Sequence, residues 1–384
     1  MARATETVRR ESDAASLLAH ARRITVKIGS SLLIDAAAGG ARREWLGTLA
    51  ADIAALHAQG KQVIVVSSGA VALGRARLTL KRSEPLAAKQ AAAAAGQPLL
   101  MQAWQAAMDE FGIPTAQLLL TIDDTESRRR WLNARATVEM LLAGGALPVV
   151  NENDSVATIE LRYGDNDRLS ARVAQMVKSD LLILLSDVDG LYTADPARDP
   201  TARHLPFVES LSPDILACAG DSVSGSHGTG GMRTKLAAAG IARGFGCATI
   251  IAAGRDAHPL GRLAEGARAT IVAAAGSPGR AYKQWIRGTL APAGSVTVDE
   301  GAVRALAAGK SLLPAGVRSV EGAFERGVCL RILGPDGREV ARGLSAYSAA
   351  EAAAIAGRGS AGIEACLGFR GPDELIHRDD LVLM

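Results

Sequence analysis

Residues 181–196 read LLILLSDVDGLYTADP, in which five consecutive Leu or Ile residues run into Ser186 and Asp187, then a turn and Tyr192. A run this short and this apolar suits a strand buried on both faces, the condition of a parallel sheet covered by helices. The same pattern recurs as ITVKIG at 24–29, QVIVVSSG at 62–69, IPTAQLLLT at 113–121, ALPVVNEND at 146–154 and CATIIAAG at 247–254. Between these runs, segments such as 43–59 and 87–109 have helical spacing and good helix formers. The expected fold is therefore α/β, with a mainly parallel central sheet flanked by helices. Every one of the apolar runs ends in Gly, Ser, Asn, Asp or Thr. An open α/β sheet binds ligands outside the carboxyl ends of its strands, so these polar ends are the first candidates for a site.

The chain has 384 residues, 48% hydrophobic and 22% charged, enough for a substantial core and for two domains. Its formal net charge of +3 gives no reason to expect nucleic acid or an anionic membrane as the main partner. Cys218, Cys247, Cys329 and Cys366 lie far apart without C-x-x-C spacing, which argues for ordinary reduced thiols rather than a zinc site or a disulfide framework. Glu6, Glu11 and Asp13 interrupt any apolar leader, and the Ala-rich run after Lys89 is broken by Gly96, Gln97 and Pro98, so neither a secretory signal nor a membrane span is expected. A cytoplasmic location follows as an expectation. After residue 275 the texture becomes polar and turn-rich, GSPGRAYKQW, which sets a boundary at 277–280. The β-like pieces SVTVD, GVCLRIL and REVARGL, a helical run at 349–355 and a closing DDLVLM predict a small, mostly β domain beyond it.

Residues 225–235, GSHGTGGMRTK, place four glycines ahead of Lys235. They do not form a Walker A loop, because Leu236 follows the lysine. Two readings stand: a flexible surface turn, or backbone N–H groups gathered at a helix N-terminus to meet an anion. Lys27, inside VKIGSSLL, either faces water from an edge strand or needs a partner such as a polyphosphate. NENDSVA at 151–157 and GDNDRLSA at 164–171 are either turns and helix caps or a site for an amino group and a metal-bound phosphate. Ser67, Ser68 and Gly69 end a strand and open a helix, as a plain cap or as donors to an anionic or amino-acid ligand.

Taken in order, VKIGSSLL, SSGAVALG, NENDSVA, GDNDRLSA, SDVDGLYTADP and AGDSVSGSHGTGGMRTKL resemble the amino-acid kinase family. GTLAPAGSVTVDEGA and SLLPAGV resemble the entry to a PUA domain. The resemblance implies an N-terminal extension over residues 1–21, an amino-acid kinase domain over 22–276, and a linker with a PUA-like domain over 277–384. It further implies Mg²⁺-dependent phosphoryl transfer from ATP to the side-chain carboxylate of L-glutamate, giving L-glutamate 5-phosphate, the first step of proline biosynthesis. By the same resemblance Lys27 and Lys235 serve the phosphates and the transition state, and Asp167 orients the two lysines. Ser68, Asp154 and Asn166 match the positions that hold the amino acid. Lys27, Ser186, Asp187, Thr229, Gly230, Gly231, Met232, Arg233, Thr234 and Lys235 match the ATP site, with no special role for Arg233, and no metal-ligating residue is singled out.

The resemblance also implies feedback inhibition by proline, a homo-oligomer (tetramer or dimer), and transfer of the labile product to a glutamyl-phosphate reductase. His227 departs from the pattern and reads as a solvated loop residue, and the first 21 residues receive no role. An acetylglutamate, aspartate or uridylate kinase of the same fold is the nearest alternative. RNA binding through the PUA-like domain is a second, but residues 281–384 carry 12 basic and 12 acidic side chains, a poor match to a phosphate backbone. Tight RNA binding is not expected.

Overall fold

The strand Leu181–Ser186 is buried along its whole length, and its side chains alternate between two separate cores. Leu181, Ile183 and Leu185 pack into one, Leu182 and Leu184 into the other. That division is why the run reads as uninterrupted hydrophobicity, each side chain contributing roughly 1.5–3 kcal/mol by leaving water. The computed structural model describes residues 13–35, 39–81, 85–156, 165–220, 231–288 and 291–384. The chain divides into two compact units, one of Met1–Thr125 with Arg135–Pro278, the other of Glu126–Ala134 with Gly279–Met384.

The first unit is built on an eight-stranded sheet. Its strands are β1 (Arg23–Ile28), β2 (Gln62–Ser67), β3 (Thr115–Leu120), β4 (Leu147–Glu152), β5 (Leu181–Ser186), β6 (Phe207–Val208), β7 (Ala248–Ala253) and β8 (Ala269–Val272), in the order β6-β8-β7-β5-β1-β2-β4-β3. All neighbours are parallel except β7 and β8. From β1 the chain builds outward through β2 on one side and through β5 on the other. The order reverses between β1 and β5, which makes their carboxyl ends the natural crevice. The principal helices are α1 (Ala14–His20), α2 (Arg43–Ala58), α3 (Ala70–Leu78), α4 (Leu86–Asp109), α5 (Arg128–Ala143), α6 (Asp165–Met176), α7 (Met232–Gly244) and α8 (Pro259–Ala264). Ala171 and Ala174 of α6 and Leu236, Ala238, Ala239 and Ala242 of α7 share the core of Leu182 and Leu184, so these two helices cover that face of the sheet.

Two local features depart from the sequence expectations. Residues before 22 carry no assigned role in the sequence, yet Ala14, Leu18 and Ala21 sit in the main core. Asp13 caps α1 through the Ser16 N–H, and the buried Lys61 ammonium donates to the carbonyls of Leu18, Ala19 and Ala21 at 3.1, 2.6 and 2.8 Å, satisfying the open C-terminal end of that helix. Residues 126–134, inside the stretch read as one domain, group with the C-terminal unit. There Arg128 donates to the Gly327 carbonyl at 3.0 Å and lies over the rings of Trp131 and Trp285.

The C-terminal unit carries a five-stranded sheet of β9 (Gly294–Val298), β10 (Val317–Glu321), β11 (Cys329–Leu333), β12 (Glu339–Leu344) and β13 (Leu381–Leu383), ordered β10-β9-β11-β12-β13. Only β9 and β11 run parallel. All four cysteines are free thiols, and burial pushes the Cys247 thiol well above its ordinary value. Among the described residues no helix is long and apolar enough to cross a membrane.

Helices α3 and α4 touch backbone to backbone. A Cβ at Gly74 would lie 1.7 Å from the Ala92 carbonyl oxygen, and one at Gly96 would lie 1.8 Å from that of Ala70. Gly→Ala in a helix interior ordinarily stabilises by up to about 1 kcal/mol. Here the sign reverses: Gly74→Ala is expected to lower stability by about 1–3 kcal/mol or more. Thermal and urea unfolding check this, and an unchanged or raised midpoint contradicts the close approach.

Candidate functional site

In β1, Ile24, Val26 and Ile28 face the main core, so the alternation of a strand turns Thr25 and Lys27 to the opposite face, beneath α6 and α7. Lys27 pairs in register with Leu184, near the carboxyl edge. Asp167 enters from the first turn of α6 and Lys235 from the first turn of α7. The three meet. Lys27 Nζ lies 2.6 Å from Asp167 Oδ1, and Lys235 Nζ lies 3.6 Å from Oδ2. The Thr234 hydroxyl donates to Oδ2 at 2.7 Å and is also 2.8 Å from the Gly231 carbonyl. Residue exposures of 8%, 2% and 5% for Lys27, Asp167 and Lys235 put all three charges out of bulk water.

Burial on its own would push the Asp167 carboxyl up. The ammonium groups of Lys27 and Lys235, with hydrogen bonds from Lys27 and Thr234, outweigh it and hold the carboxyl below its ordinary range. Lys235 is pulled below the usual lysine value by burial first, against the opposing pull of Asp167; nearby Lys27 adds to the lowering and Asp187 opposes it.

Beside this cluster lies a second one, and the step from Asn166 to Asp167 joins them. The Asn166 amide donates to Ser68 Oγ at 2.6 Å and to Asn151 Oδ1 at 3.1 Å, while the Ser68 backbone N–H donates to the Ile28 carbonyl at 3.1 Å. With both amide hydrogens engaged, Asn166 Oδ1 is buried with no hydrogen-bond donor among the described residues. Gly69, at φ 120°, turns the chain from β2 into α3; a Cβ there would be strained and within 3.1 Å of Ile34. Asp154 follows Asn151 in the turn after β4 and pairs with Lys89 of α4 at 3.0 Å.

Those of the residues singled out in the sequence that are described lie on segments that end or begin at the carboxyl edge of the sheet. Ser186 ends β5 and donates to Asp187 Oδ1 at 3.0 Å; Asp187 is half-exposed and lies 3.7 Å from Arg255. Gly231 caps α7 without a side-chain hydrogen bond, Met232 is half-buried and Arg233 is exposed on the first turn. Thr229, Gly230 and His227 lie outside the described residues. Sequence reading gave no part to Lys89, Asn151 or Arg255. Lys89 left a signal, as the one charged residue in LAAKQAAAAAGQPLL at 86–100. Asn151 stood only as the first member of NENDSVA, and Arg255 left no signal that sets it apart from an ordinary turn residue.

Comparison with known proteins matches residues 22–252 to the amino acid kinase family and residues 294–367 to the PUA domain. The glutamate 5-kinase of Caulobacter vibrioides is 60% identical over 366 residues, covering 94% of this chain and 97% of that protein. Those of Paramagnetospirillum magneticum and Rhodospirillum rubrum are 58% and 56% identical, covering 96% and 93% of this chain and 99% and 96% of theirs.

The carboxylate between two lysines sets a pH dependence. A carboxyl held lower in the folded than in the unfolded state contributes stability that is fully present above its unfolded pKa, about 3.9, and is lost as pH falls through the folded value. Asp167→Asn leaves two buried ammonium groups without their counter-charge, so a loss of about 3–5 kcal/mol is expected at pH 7. Urea unfolding of both proteins from pH 7 to 2.5 is expected to show that gap constant down to about pH 5 and shrinking below about pH 4. A gap independent of pH contradicts an ionised Asp167.

Proposed function

The chain belongs to the amino acid kinase family, and on that premise we propose that it transfers the terminal phosphoryl group of ATP to the side-chain carboxylate of L-glutamate. The products are ADP and L-glutamate 5-phosphate, and the reaction is the first step of proline biosynthesis. The observation that carries this reading is the pair of buried lysines, Lys27 and Lys235, held on either oxygen of Asp167 at the switch point of the sheet.

A carboxylate is already an anionic nucleophile at pH 7, so the transfer requires no general base. Asp167 would make a poor one, since its carboxyl is held below the ordinary range and both of its oxygens are engaged. The obstacle is repulsion between two anionic reactants. Two ammonium groups against one carboxylate leave a local excess of positive charge, which suits the bridging and equatorial oxygens of a phosphoryl group in transfer. Asp167 fixes where those charges sit, and Thr234 fixes Asp167. The first turn of α7, capped by Gly231 without a side-chain bond, offers backbone N–H groups to the nucleotide phosphates. Ser186 and Asp187 face the same nucleotide from the end of β5. Mg²⁺ prefers phosphate oxygens and water supplemented by one or two carboxylates, and Asp187 is the exposed carboxylate that would join them; the ion supplies further charge neutralisation at the phosphates.

Ser68, Asn166 and Asp154 hold the amino acid. Asn166 Oδ1, which has no donor among the described residues, and the Asp154 carboxylate are acceptors, which favours a free ammonium over the acylated nitrogen of N-acetylglutamate. Proline inhibition, a homodimeric or homotetrameric assembly, delivery to a glutamyl-phosphate reductase and a cytoplasmic location belong to the same reading. The balance of 12 basic and 12 acidic residues in 281–384 supports a C-terminal domain that does not bind RNA tightly.

Hydroxylamine traps an acyl phosphate as its hydroxamate. With ATP and Mg²⁺, L-glutamate is expected to give hydroxamate while N-acetylglutamate and L-aspartate give little; trapped product from either competitor in preference to glutamate overturns the substrate. Lys235→Ala is expected to lower kcat by about 10²-fold or more with a small change in glutamate KM. A kcat near that of the parent protein removes Lys235 from the transition state.

A further inference from the structure

Lys89 and Asp154 approach to 3.0 Å, with their side chains 33% and 16% exposed. An ion pair this accessible stabilises a fold little. It joins the first turn of α4 to the turn beyond β4, three residues past Asn151, which accepts from the Asn166 amide. Asn166 Oδ1 has no hydrogen-bond donor among the described residues, so these segments offer two acceptors and one cation to the proposed amino-acid end of the site. An α-amino acid presents the complement: an ammonium that needs acceptors and, one carbon away, a carboxylate that needs a cation. We infer that Lys89 binds the α-carboxylate of the substrate, and that the Lys89–Asp154 pair reads the zwitterion as a unit, Asp154 and Asn166 Oδ1 taking the ammonium. The inference rests on the glutamate kinase reading above and deepens it by naming what selects the α-amino-acid end.

Without substrate the two side chains satisfy each other. With substrate, each keeps a partner of opposite charge, so neither charge is left unmatched. A ligand that lacks one charge leaves either Lys89 or Asp154 facing a neutral group, the arrangement by which a polar site rejects an analogue. The α-carboxylate is thereby bound through Lys89 at one end, while the γ-carboxylate reacts at the two-lysine cluster at the other.

The test compares L-glutamate with L-isoglutamine, its α-carboxamide, which keeps the ammonium and the reacting carboxylate. Initial rates are measured for the full-length protein, Lys89→Gln and Lys89→Arg, with isoglutamine assayed as a substrate and as a competitive inhibitor against glutamate. The parent protein is expected to prefer glutamate by about 10- to 100-fold, the scale of one lost charge-assisted hydrogen bond. Lys89→Gln is expected to raise glutamate KM by a similar factor, to leave the isoglutamine KM or Ki and the ATP KM within about threefold, and so to erase the preference. Lys89→Arg is expected to retain most of it. If Lys89→Gln weakens both ligands equally, or keeps the full preference for glutamate, Lys89 does not bind the α-carboxylate, although the kinase reading stands. A parent protein that fails to phosphorylate glutamate overturns both.

Discussion

A carboxylate buried between two ammonium groups is the constraint on which the remainder of this site depends. Lys27 and Lys235 come from segments more than two hundred residues apart, and Asp167 supplies the counter-charge that two ammonium groups buried in one crevice require. The carboxylate in turn stays ionised only because both lysines are there. The arrangement leaves an excess of positive charge at a defined place. A polyphosphate and a second anionic reactant can then be brought together where water would keep them apart.

The sheet explains why these groups coincide. Strand alternation sends Lys27 to the face covered by α6 and α7, and both helices begin at the carboxyl edge, so Asp167 and Lys235 arrive over it from their first turns. Asn166, one residue earlier, reaches sideways to Ser68 at the end of β2 and to Asn151 at the end of β4. On the proposed reading, one helix start therefore serves both halves of the reaction. The backbone contact of α3 with α4 at Gly74 and Gly96 holds together the helix that follows Ser68 and the helix that carries Lys89. Packing at a distance from the chemistry fixes the acceptor side as firmly as hydrogen bonds do.

Sequence pattern sufficed for the six strands whose apolar runs meet polar ends: in five of them burial on both faces is written in the apolar run, while β3, at the edge of the sheet, is only partly buried and was legible from its short Leu run and flanking turn residues. It did not reveal β6, β8 or β10: strands of two and four residues lack a period long enough to separate from loop, and β10, VRSVE, is largely exposed and carries little apolar signal. Helix α1, at seven residues, was equally hidden, and its docking depends on Lys61, some forty positions away. At the site, residue types identified Lys27, Asp167 and Lys235 as a group only through a family resemblance; spacing alone left a cap, an edge-strand lysine and a turn as open readings. The pairing of Lys89 with Asp154 is a fact of the third dimension, since nothing local to either residue points to the other.

The central claim, that a glutamate carboxylate oxygen attacks the terminal phosphorus of ATP, is tested most directly by isotope. Glutamate labelled with ¹⁸O in its γ-carboxylate is incubated with the protein, Mg·ATP and hydroxylamine, and the released inorganic phosphate is analysed by mass. Attack of the carboxylate, followed by hydroxylamine cleavage at the acyl carbon, predicts phosphate carrying one ¹⁸O in step with hydroxamate formed. Unlabelled phosphate, released in the presence of glutamate at the same rate as in its absence, would mean that water is the acceptor and would contradict the account.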